Sequence, residues 1–263
     1  MPVIDVQVHP FERNHPGRPW SGPSHGLESA SGDEMVAAMH SVGVDGDQGS
    51  WPAARTTKGI TTRMTSAARS TPAAARNREP ILLVLRDYLP RSARVLEIAS
   101  GMGEHAVWFS SALPELTWQP TDRDPEALRS IAAWRNSTNL PNLLPPLPLD
   151  AAADTWPVAR ADAVVAINMV HIAPWTATQG LIAGAARVLT QGGLLFLYGP
   201  FREGGVHTGV GNAAFDADLR ARDPSWGIRD LDEIAALASR LGFMTPERIA
   251  MPANNLSVLF RRH

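Results

Sequence analysis

Short apolar runs alternate with amphipathic segments from Arg76 to the carboxyl end of the chain. Apolar runs bounded by turn residues predict strands, and apolar residues three or four positions apart predict helices. The predicted strands are 94–99, 116–120, 143–149, 161–168, 193–198, 246–251 and 256–261, and the predicted helices are 78–89, 105–113, 124–136, 175–189 and 230–241. Helices between successive strands indicate parallel crossovers, whereas the last two strands are close enough to form an antiparallel hairpin. The pattern predicts an α/β fold with a mostly parallel seven-stranded sheet and helices on both faces.

The first quarter of the chain has a different composition. Residues 10–32 are rich in Gly and Pro, which excludes regular secondary structure there. Residues 51–75 carry four basic side chains, no acidic one and few large apolar groups, a composition typical of a flexible linker. We therefore predict a domain over residues 72–263, a linker over residues 51–71 and a separate segment over residues 1–50.

The overall charge and composition exclude several classes of protein. The 24 basic and 26 acidic side chains leave a net charge of −2, so we expect neither nucleic-acid binding nor attachment to an anionic membrane. The chain has no cysteine, which excludes disulfides and cysteine-based metal sites and fits a reducing compartment. It shows neither a membrane-spanning apolar run nor a secretory signal at its start. These features predict a cytoplasmic protein, and none of them indicates an oligomeric state.

The strongest chemical signal is a glycine turn after the first predicted strand. Glu97 lies near the end of that strand, and Gly101 and Gly103 form a G-x-G turn that leads into a helix. Asp122 follows Gly103 by 19 residues and ends the second strand, where a carboxylate can accept hydrogen bonds from both hydroxyls of a ribose. Asp150 ends the third strand, in the same row of strand ends, where a carboxylate suits the exocyclic amine of adenine. The row predicts an adenosine site.

Two cofactors with an adenosine group compete for this site. The run from Gly101 to Ala106 satisfies the dinucleotide pattern G-x-G-x-x-G/A, so a nicotinamide-dependent oxidoreductase stays open. Glu97 and Glu104 place two carboxylates around the turn, which repels a pyrophosphate and suits the ammonium and sulfonium charges of S-adenosylmethionine. A terminal antiparallel pair of strands also departs from the dehydrogenase arrangement. The methyl donor is therefore the favoured cofactor.

Seven segments of the chain together resemble one known family. They are RNREPIL (76–82), VLEIASGMGEHAVWF (95–109), WQPTDRDPEAL (118–128), INMVHIAPW (167–175), LYGPFREGGVHT (197–208), GNAAFDADLRARDPSWGIRDL (211–231) and MPANNLSVLFRR (251–262). They look like class I methyltransferase-like proteins of a family long catalogued as a domain of unknown function, which includes methyltransferase-like protein 26. The resemblance implies a Rossmann-like class I methyltransferase fold over residues 72–263. It places Glu97, Gly101, Gly103, Asp122 and Asp150 at the cofactor positions and supplies no substrate.

The amino end resembles a different family. Residues 1–46 look like the first strand and helix of a metal-dependent amidohydrolase, in which that strand ends in a pair of metal-binding histidines. Here the pair is Gln7 and His9, and the similarity stops near Gly46. About 50 residues cannot form a barrel, which needs about 200 or more. We therefore expect a non-functional fragment without a metal site.

Two residues are candidates for catalysis of methyl transfer. His171 follows the fourth strand and faces the same crevice as the glycine turn, since ligands of open α/β sheets bind outside the carboxyl ends of the strands. A neutral imidazole there suits a general base, although capping of the next helix or packing against Trp175 explains His171 equally well. Tyr198 ends the fifth strand and is placed to hydrogen-bond the methyl acceptor or to set its ring against the sulfonium, with core packing as the alternative.

Further residues are candidates for lining the cofactor and acceptor. Arg76 and Asn77 precede the first helix and are placed to close over the methionine carboxylate, His105 begins the second helix, and Asn168 ends the fourth strand. The Gly-rich loop 202–212, with His207 and Asn212, is long enough to serve as a lid.

Three functions remain open at the level of the sequence. The favoured one is an S-adenosylmethionine-dependent methyltransferase that acts on a small-molecule acceptor. The second is a catalytically silent S-adenosylmethionine-binding or interaction module, and the third is the nicotinamide-dependent oxidoreductase.

Overall fold

The computed structural model describes residues 72–263, so the interpretations of residues 1–50 and 51–71 lie outside the described residues. Its main element is a sheet of seven strands, which are β1 (Arg94–Ile98), β2 (Thr117–Asp122), β3 (Leu147–Pro148), β4 (Ala161–Ile167), β5 (Leu189–Gly199), β8 (Glu247–Met251) and β9 (Asn255–Arg261). Strands β6 and β7 form a separate hairpin described below. The order in the main sheet is β3-β2-β1-β4-β5-β9-β8. All neighbours from β3 to β5 pair in parallel, whereas β9 is antiparallel to both β5 and β8. The predicted fold class is confirmed.

Six helices accompany this sheet in the described part of the chain. They are α1 (Pro72–Tyr88), α2 (Glu104–Ala112), α3 (Pro125–Thr138), α4 (Trp175–Val188), α5 (Val210–Arg222) and α6 (Leu231–Arg240). One apolar cluster, which includes Ile81, Phe109 and Trp118, lies on one face of the sheet, and a second, which includes Leu181, Ile234 and Phe243, lies on the other. Because both faces are covered, residues 164–166 of β4 are buried without interruption, as expected for a central parallel strand.

Three predicted boundaries need correction. The fifth strand begins at Leu189, four residues before the predicted start at 193. The first helix begins at Pro72 and includes Pro80, so it is longer than the predicted 78–89. The third strand pairs only at Leu147–Pro148, with an isolated bridge between Trp118 and Leu143, because prolines at 145, 146 and 148 remove the backbone donors that a longer strand needs.

Residues 200–227 lie outside every predicted strand and helix, but they are not one long loop. They contain a short hairpin, β6 (Arg202–Glu203) and β7 (Val206–His207), followed by helix α5. The buried residues of α5 are Asn212, Asp216 and Leu219. Their spacing is helical, but two of the three are polar, so the helix has no apolar stripe for sequence analysis to detect.

Within residues 72–263, no helix is both long and apolar enough to span a membrane. The same residues contain no group of three or more His, Cys, Asp or Glu side chains arranged to hold a metal ion.

Candidate cofactor and acceptor site

The glycine turn joins β1 to α2 through three left-handed backbone positions. Ala99, Gly101 and Gly103 have φ values of 56°, 57° and 93°. A Cβ on Gly103 would lie only 3.0 Å from the Ile131 side chain of α3, so close packing and the left-handed conformation both favour glycine there. Gly101 has open space at the same position. The turn therefore presents bare backbone at the amino end of α2, where free N–H groups suit a polar ligand.

Asp122 at the end of β2 is joined directly to this turn. One carboxylate oxygen accepts a hydrogen bond from the Gly101 N–H at 2.9 Å, and the other accepts one from the Asp124 N–H at 2.9 Å. The residue is 8% exposed. Because each carboxylate oxygen has a second lone pair, two acceptor positions stay available in a fixed orientation. The structure thus places Asp122 beside Gly101, as the sequence predicts.

Glu97 lies behind the turn, 2% exposed. Its carboxylate accepts hydrogen bonds from the Ser100 hydroxyl and from the Trp118 indole N–H, both at 2.9 Å. Burial raises the pKa of Glu97 to about 7, with a smaller contribution from the negative charge of Asp122, and the two hydrogen bonds partly oppose the rise. This geometry makes Glu97 a support for the turn. Its assignment as a direct cofactor ligand stays a prediction.

The donor from Trp118 is a contact that sequence reasoning missed. Trp118 lies on β2, the neighbour of β1, and its side chain is fully buried. A buried tryptophan whose indole N–H needs an acceptor, next to a strand that carries a buried acid, is the only sequence signal for this pair.

Asp150 follows β3 at the same edge of the sheet and is exposed. One of its carboxylate oxygens accepts the Ala152 N–H at 2.9 Å, which fixes the loop after the strand. Helix α4 presses against that loop at Gly180, where a Cβ would lie 2.3 Å from the Ala151 carbonyl oxygen. Asp150 therefore presents an accessible carboxylate in the row of strand ends where the sequence predicts it.

Helix α1 contributes a second group of predicted residues. The Asn77 carboxamide oxygen lies 2.8 Å from His105 Nε2, and this contact joins α1 to the start of α2. Burial, reinforced by the positive charge of Arg78, lowers the pKa of His105 to about 4, so its ring is neutral at pH 7. Tyr198 is 3% exposed, and burial raises its pKa to about 12, opposed by nearby Asn77 and Arg76. The predicted site residues Arg76, Asn77, His105 and Tyr198 are thus close together, with Asn77 next to both His105 and Tyr198.

Asn168 and His171 meet at the end of β5. Asn168 follows β4 with a φ of 57°, and its side-chain oxygen is buried without a hydrogen-bond partner among residues 72–263. The His171 ring lies against Gly199, where a Cβ would fall 2.5 Å from its Cε1 atom and 3.5 Å from the Asn168 oxygen. An unpaired buried acceptor is costly, and such atoms concentrate at functional sites.

Burial determines the charge state of His171. The ring is 1% exposed, and burial together with the positive charge of Arg229 lowers its pKa to about 3. The role of His171 as a general base stays a prediction, and it requires that substrate reach a ring that is covered in this structure.

This environment gives a direct prediction for the His171 ring. The ring ¹⁵N chemical shifts of His171 are expected to remain those of neutral imidazole from about pH 5 to about pH 8, because protonation in a buried site next to Arg229 is unfavourable. A ¹⁵N-edited spectrum assigned with a His171→Gln variant measures this. Titration of the His171 signals near pH 6.5 would contradict the described packing.

The segment after α5 holds this histidine in place. The Gly227 N–H donates to the His171 carbonyl at 3.0 Å, and the Phe215 ring lies 5.9 Å from the His171 ring in an edge-to-face arrangement. Arg229 donates to the carbonyls of Val170 and Ala173, on either side of His171. Sequence reasoning missed Arg229, because a single arginine gives no signal for the three carbonyl contacts that it makes in the folded chain.

The predicted lid residues belong to a folded element. His207 lies on β7, and Asn212 is 2% exposed and donates to the Thr208 hydroxyl at 3.1 Å and the Asn254 carbonyl at 3.2 Å. The prediction of a Gly-rich lid loop over 202–212 is corrected here, because these residues form the β6–β7 hairpin and the start of α5.

Several solved structures with a similar architecture are methyltransferases. The chain is similar to S-adenosylmethionine-dependent methyltransferase SibL in its apo form, with 23% identity, a TM-score of 0.61, and coverage of 72% of this chain and 55% of SibL. It is similar to an O-methyltransferase family protein from Burkholderia thailandensis, with 17% identity, a TM-score of 0.63 and coverage of 72% and 57%. It is also similar to human N-acetylserotonin methyltransferase in complex with SAM, with 14% identity and a TM-score of 0.60. That match covers 72% of this chain and 52% of the human protein. The chain spans about half to three fifths of the length of these proteins.

The fold is therefore the class I methyltransferase fold. The chain itself belongs to the family described as "Protein of unknown function (DUF938)", which matches residues 68–262. The resemblance to methyltransferase-like protein 26 stays a prediction, and the amidohydrolase-like interpretation concerns residues outside the described range.

Proposed function

We propose that residues 72–263 form an S-adenosylmethionine-dependent methyltransferase domain that acts on a small-molecule acceptor. The observation that carries the proposal is the carboxylate of Asp122, held between the N–H groups of Gly101 and Asp124 at the edge of the sheet. This arrangement supports recognition of ribose hydroxyls next to the bare backbone of the glycine turn. The accessible carboxylate of Asp150 in the same row supports recognition of the adenine amine.

The donor set fits the methyl donor better than a dinucleotide. The cofactor supplies an activated methyl group, and the protein residues orient the acceptor and accept any proton it releases. Carboxyl groups of Glu97 and Asp122 flank the turn, which disfavours a pyrophosphate. The unpaired oxygen of Asn168 and the residues around Tyr198 are the polar groups available for the amino-acid part of the cofactor. Arg76 and Asn77 on α1 are proposed to contact its carboxylate.

Calorimetric titration with S-adenosylhomocysteine tests the cofactor site. We expect Asp122→Asn to weaken binding about tenfold or more, about 1.4 kcal/mol, because the amide removes one of the two oriented acceptors. The control is Asp162→Asn, because Asp162 also accepts a backbone N–H, from Arg94 at 2.8 Å, but lies at the opposite ends of the strands. Equal affinity for S-adenosylhomocysteine in the wild type and Asp122→Asn would reject the proposed ribose site. Binding of NADH but not of S-adenosylhomocysteine would favour the oxidoreductase.

A second candidate function is cofactor binding without turnover. The observation that favours it is the burial of both candidate catalytic residues, His171 at 1% and Tyr198 at 3% exposure. Transfer of radiolabelled methyl groups to a panel of hydroxyl and amine acceptors distinguishes the two. Labelled product supports the methyltransferase, whereas tight cofactor binding without product from any acceptor supports the silent module.

A further inference from the structure

The β6–β7 hairpin presents two buried nitrogen atoms that have no hydrogen-bond partner in the described part of the chain. They are Nε of Arg202 and Nδ1 of His207. The two residues are direct cross-strand partners in the hairpin. Because directly opposed residues of an antiparallel pair point to the same face, the guanidinium and the imidazole lie side by side. The Arg202 Nε–H is always a donor, whereas the His207 nitrogen donates or accepts according to its tautomer. Two unpaired nitrogens on one face indicate a missing hydrogen-bonding partner.

The hairpin is held in one conformation by its turn and by hydrogen bonds to the neighbouring segments. Its two-residue turn consists of Gly204 and Gly205, with φ values of 57° and 79°, which L side chains rarely adopt. The Gly204 N–H donates to Asp232 at 3.0 Å, and the Gly205 N–H donates to Asp230 at 2.6 Å, so the turn is tied to the start of α6. The Arg202 N–H donates to the Arg229 carbonyl at 2.9 Å, which fixes the base of the hairpin.

The carboxylates near the hairpin have other donors. Asp216 on α5 pairs with Arg220 at 3.1 Å, accepts the Ile228 N–H at 2.6 Å, and lies 3.6 Å from His207 Nε2. Glu203 pairs with Arg248 on β8 at 2.9 Å.

The other charged groups around the hairpin lie after α5 and on α6. Arg229 donates hydrogen bonds to three carbonyl oxygens. The carboxylates of Asp230 and Asp232 accept hydrogen bonds from backbone N–H groups. Glu233 belongs to the first turn of α6. No ion-pair partner of the Arg202 guanidinium lies among the described residues, so no side chain there neutralises its positive charge.

We propose that Arg202 and His207 bind the carboxylate of an acidic small molecule, which is the methyl acceptor if the proposed function holds. The Nε edge of a guanidinium offers two parallel N–H donors that match the two oxygens of a carboxylate, and an Nδ1–H on His207 adds a third donor from the opposite strand.

The position of the hairpin fits an acceptor site. Arg202 follows Gly199 by three residues, and Gly199 contacts His171 at the carboxyl edge of the sheet. Three residues of extended chain span at most about 10 Å. The carboxylate of a small acid at Arg202 is thus within reach of an acceptor atom located at the end of β5.

The test is a ¹H–¹⁵N titration of the full-length protein, followed at the arginine Nε–H signals with benzoate and with its neutral analogue benzamide. The Arg202 signal is identified by its loss in Arg202→Lys, and circular dichroism checks that this variant is folded. We expect benzoate to move the Arg202 signal downfield with saturation, benzamide to leave it in place, and His207→Gln to weaken benzoate binding at least threefold. The control is Arg222→Gln, which removes an exposed arginine that is ion-paired with Asp218 at the end of α5 and leaves benzoate affinity unchanged.

Several results would overturn the anion site. They are a non-saturating or absent response to benzoate, an equal response to benzamide, and unchanged benzoate affinity in Arg202→Lys measured at the Gly204 and Gly205 amides. Titration with S-adenosylhomocysteine is a separate measurement on the same sample. Binding of benzoate without binding of S-adenosylhomocysteine rejects the methyltransferase proposal alone. Binding of S-adenosylhomocysteine without binding of benzoate rejects the anion site alone.

Discussion

Replacement of Gly199 with alanine is expected to lower the free energy of unfolding by about 3 kcal/mol, the upper end for an overpacked core site. The new Cβ would lie 2.5 Å from His171 Cε1 and 3.0 Å from its Nδ1 atom. The ring cannot withdraw easily, because it is 1% exposed and lies against Phe215. Urea denaturation followed by tryptophan fluorescence measures the loss.

Gly192→Ala is the matched control for this substitution. Gly192 lies on the same strand and has a φ of 74°, but a Cβ there meets nothing within 4 Å. We expect it to cost only about 1 kcal/mol, the penalty of a left-handed residue with a side chain. Equal losses in the two variants would mean that the contact between His171 and the end of β5 does not exist as described. If the contact is real, Gly199→Ala also weakens S-adenosylhomocysteine binding, because it displaces Asn168 and His171 together.

Glu97→Gln is expected to remove a pH dependence of stability that centres on the cofactor turn. Burial raises the pKa of Glu97 in the folded chain from 4.5 to about 7. The folded state therefore retains a proton that the unfolded chain loses, and this stabilisation is complete below about pH 4.5 and disappears as pH rises through 7. Linkage between these two pKa values gives a loss of roughly 2 kcal/mol between about pH 5.5 and about pH 8.5.

The measurement is urea denaturation of the wild type and Glu97→Gln across that pH range. The difference between the two proteins should change by roughly 2 kcal/mol, with the wild type losing stability relative to the variant as pH rises. Glu115→Gln, at an exposed acid in the loop before β2, is the control and should follow the wild type. A constant difference between wild type and Glu97→Gln would show that Glu97 titrates in the folded protein as it does in the unfolded chain.

Much of the candidate cofactor site follows from local sequence. A glycine turn after a buried strand, and acids at the ends of the next two strands, fall on one edge because parallel strands share their direction. Asp122 lies against Gly101 for this reason, 21 positions away in the chain. The same reasoning could not reveal that Glu97 faces the Trp118 indole, because that pairing depends on which side chains of adjacent strands point into the same layer.

The candidate acceptor region, residues 200–227, could not be predicted from the sequence to the same extent. Gly and Pro signals around residues 200–227 indicate a loop, and the buried polar residues of α5 hide its helical period. Local composition cannot show that Asp216 is satisfied by Arg220 and the Ile228 N–H. Polar side chains can be buried only where residues distant in sequence supply hydrogen-bond or ion-pair partners. A helix that buries such side chains is therefore predicted from its sequence to be exposed or to be a loop.

The sequence by itself determined the seven strands of the main sheet, five of the six described helices, the glycine turn and the acids at the strand ends. The reason is that hydrophobic periodicity and turn chemistry act over a few residues. The tertiary structure alone decided which polar groups are paired and which are not. Burial of His171 under the segment held by Arg229, the unpaired oxygen of Asn168 and the unpaired nitrogens of Arg202 and His207 all arise from contacts between distant segments. The physical reason is that desolvation and hydrogen-bond satisfaction depend on the complete surroundings of an atom, which exist only in the folded chain.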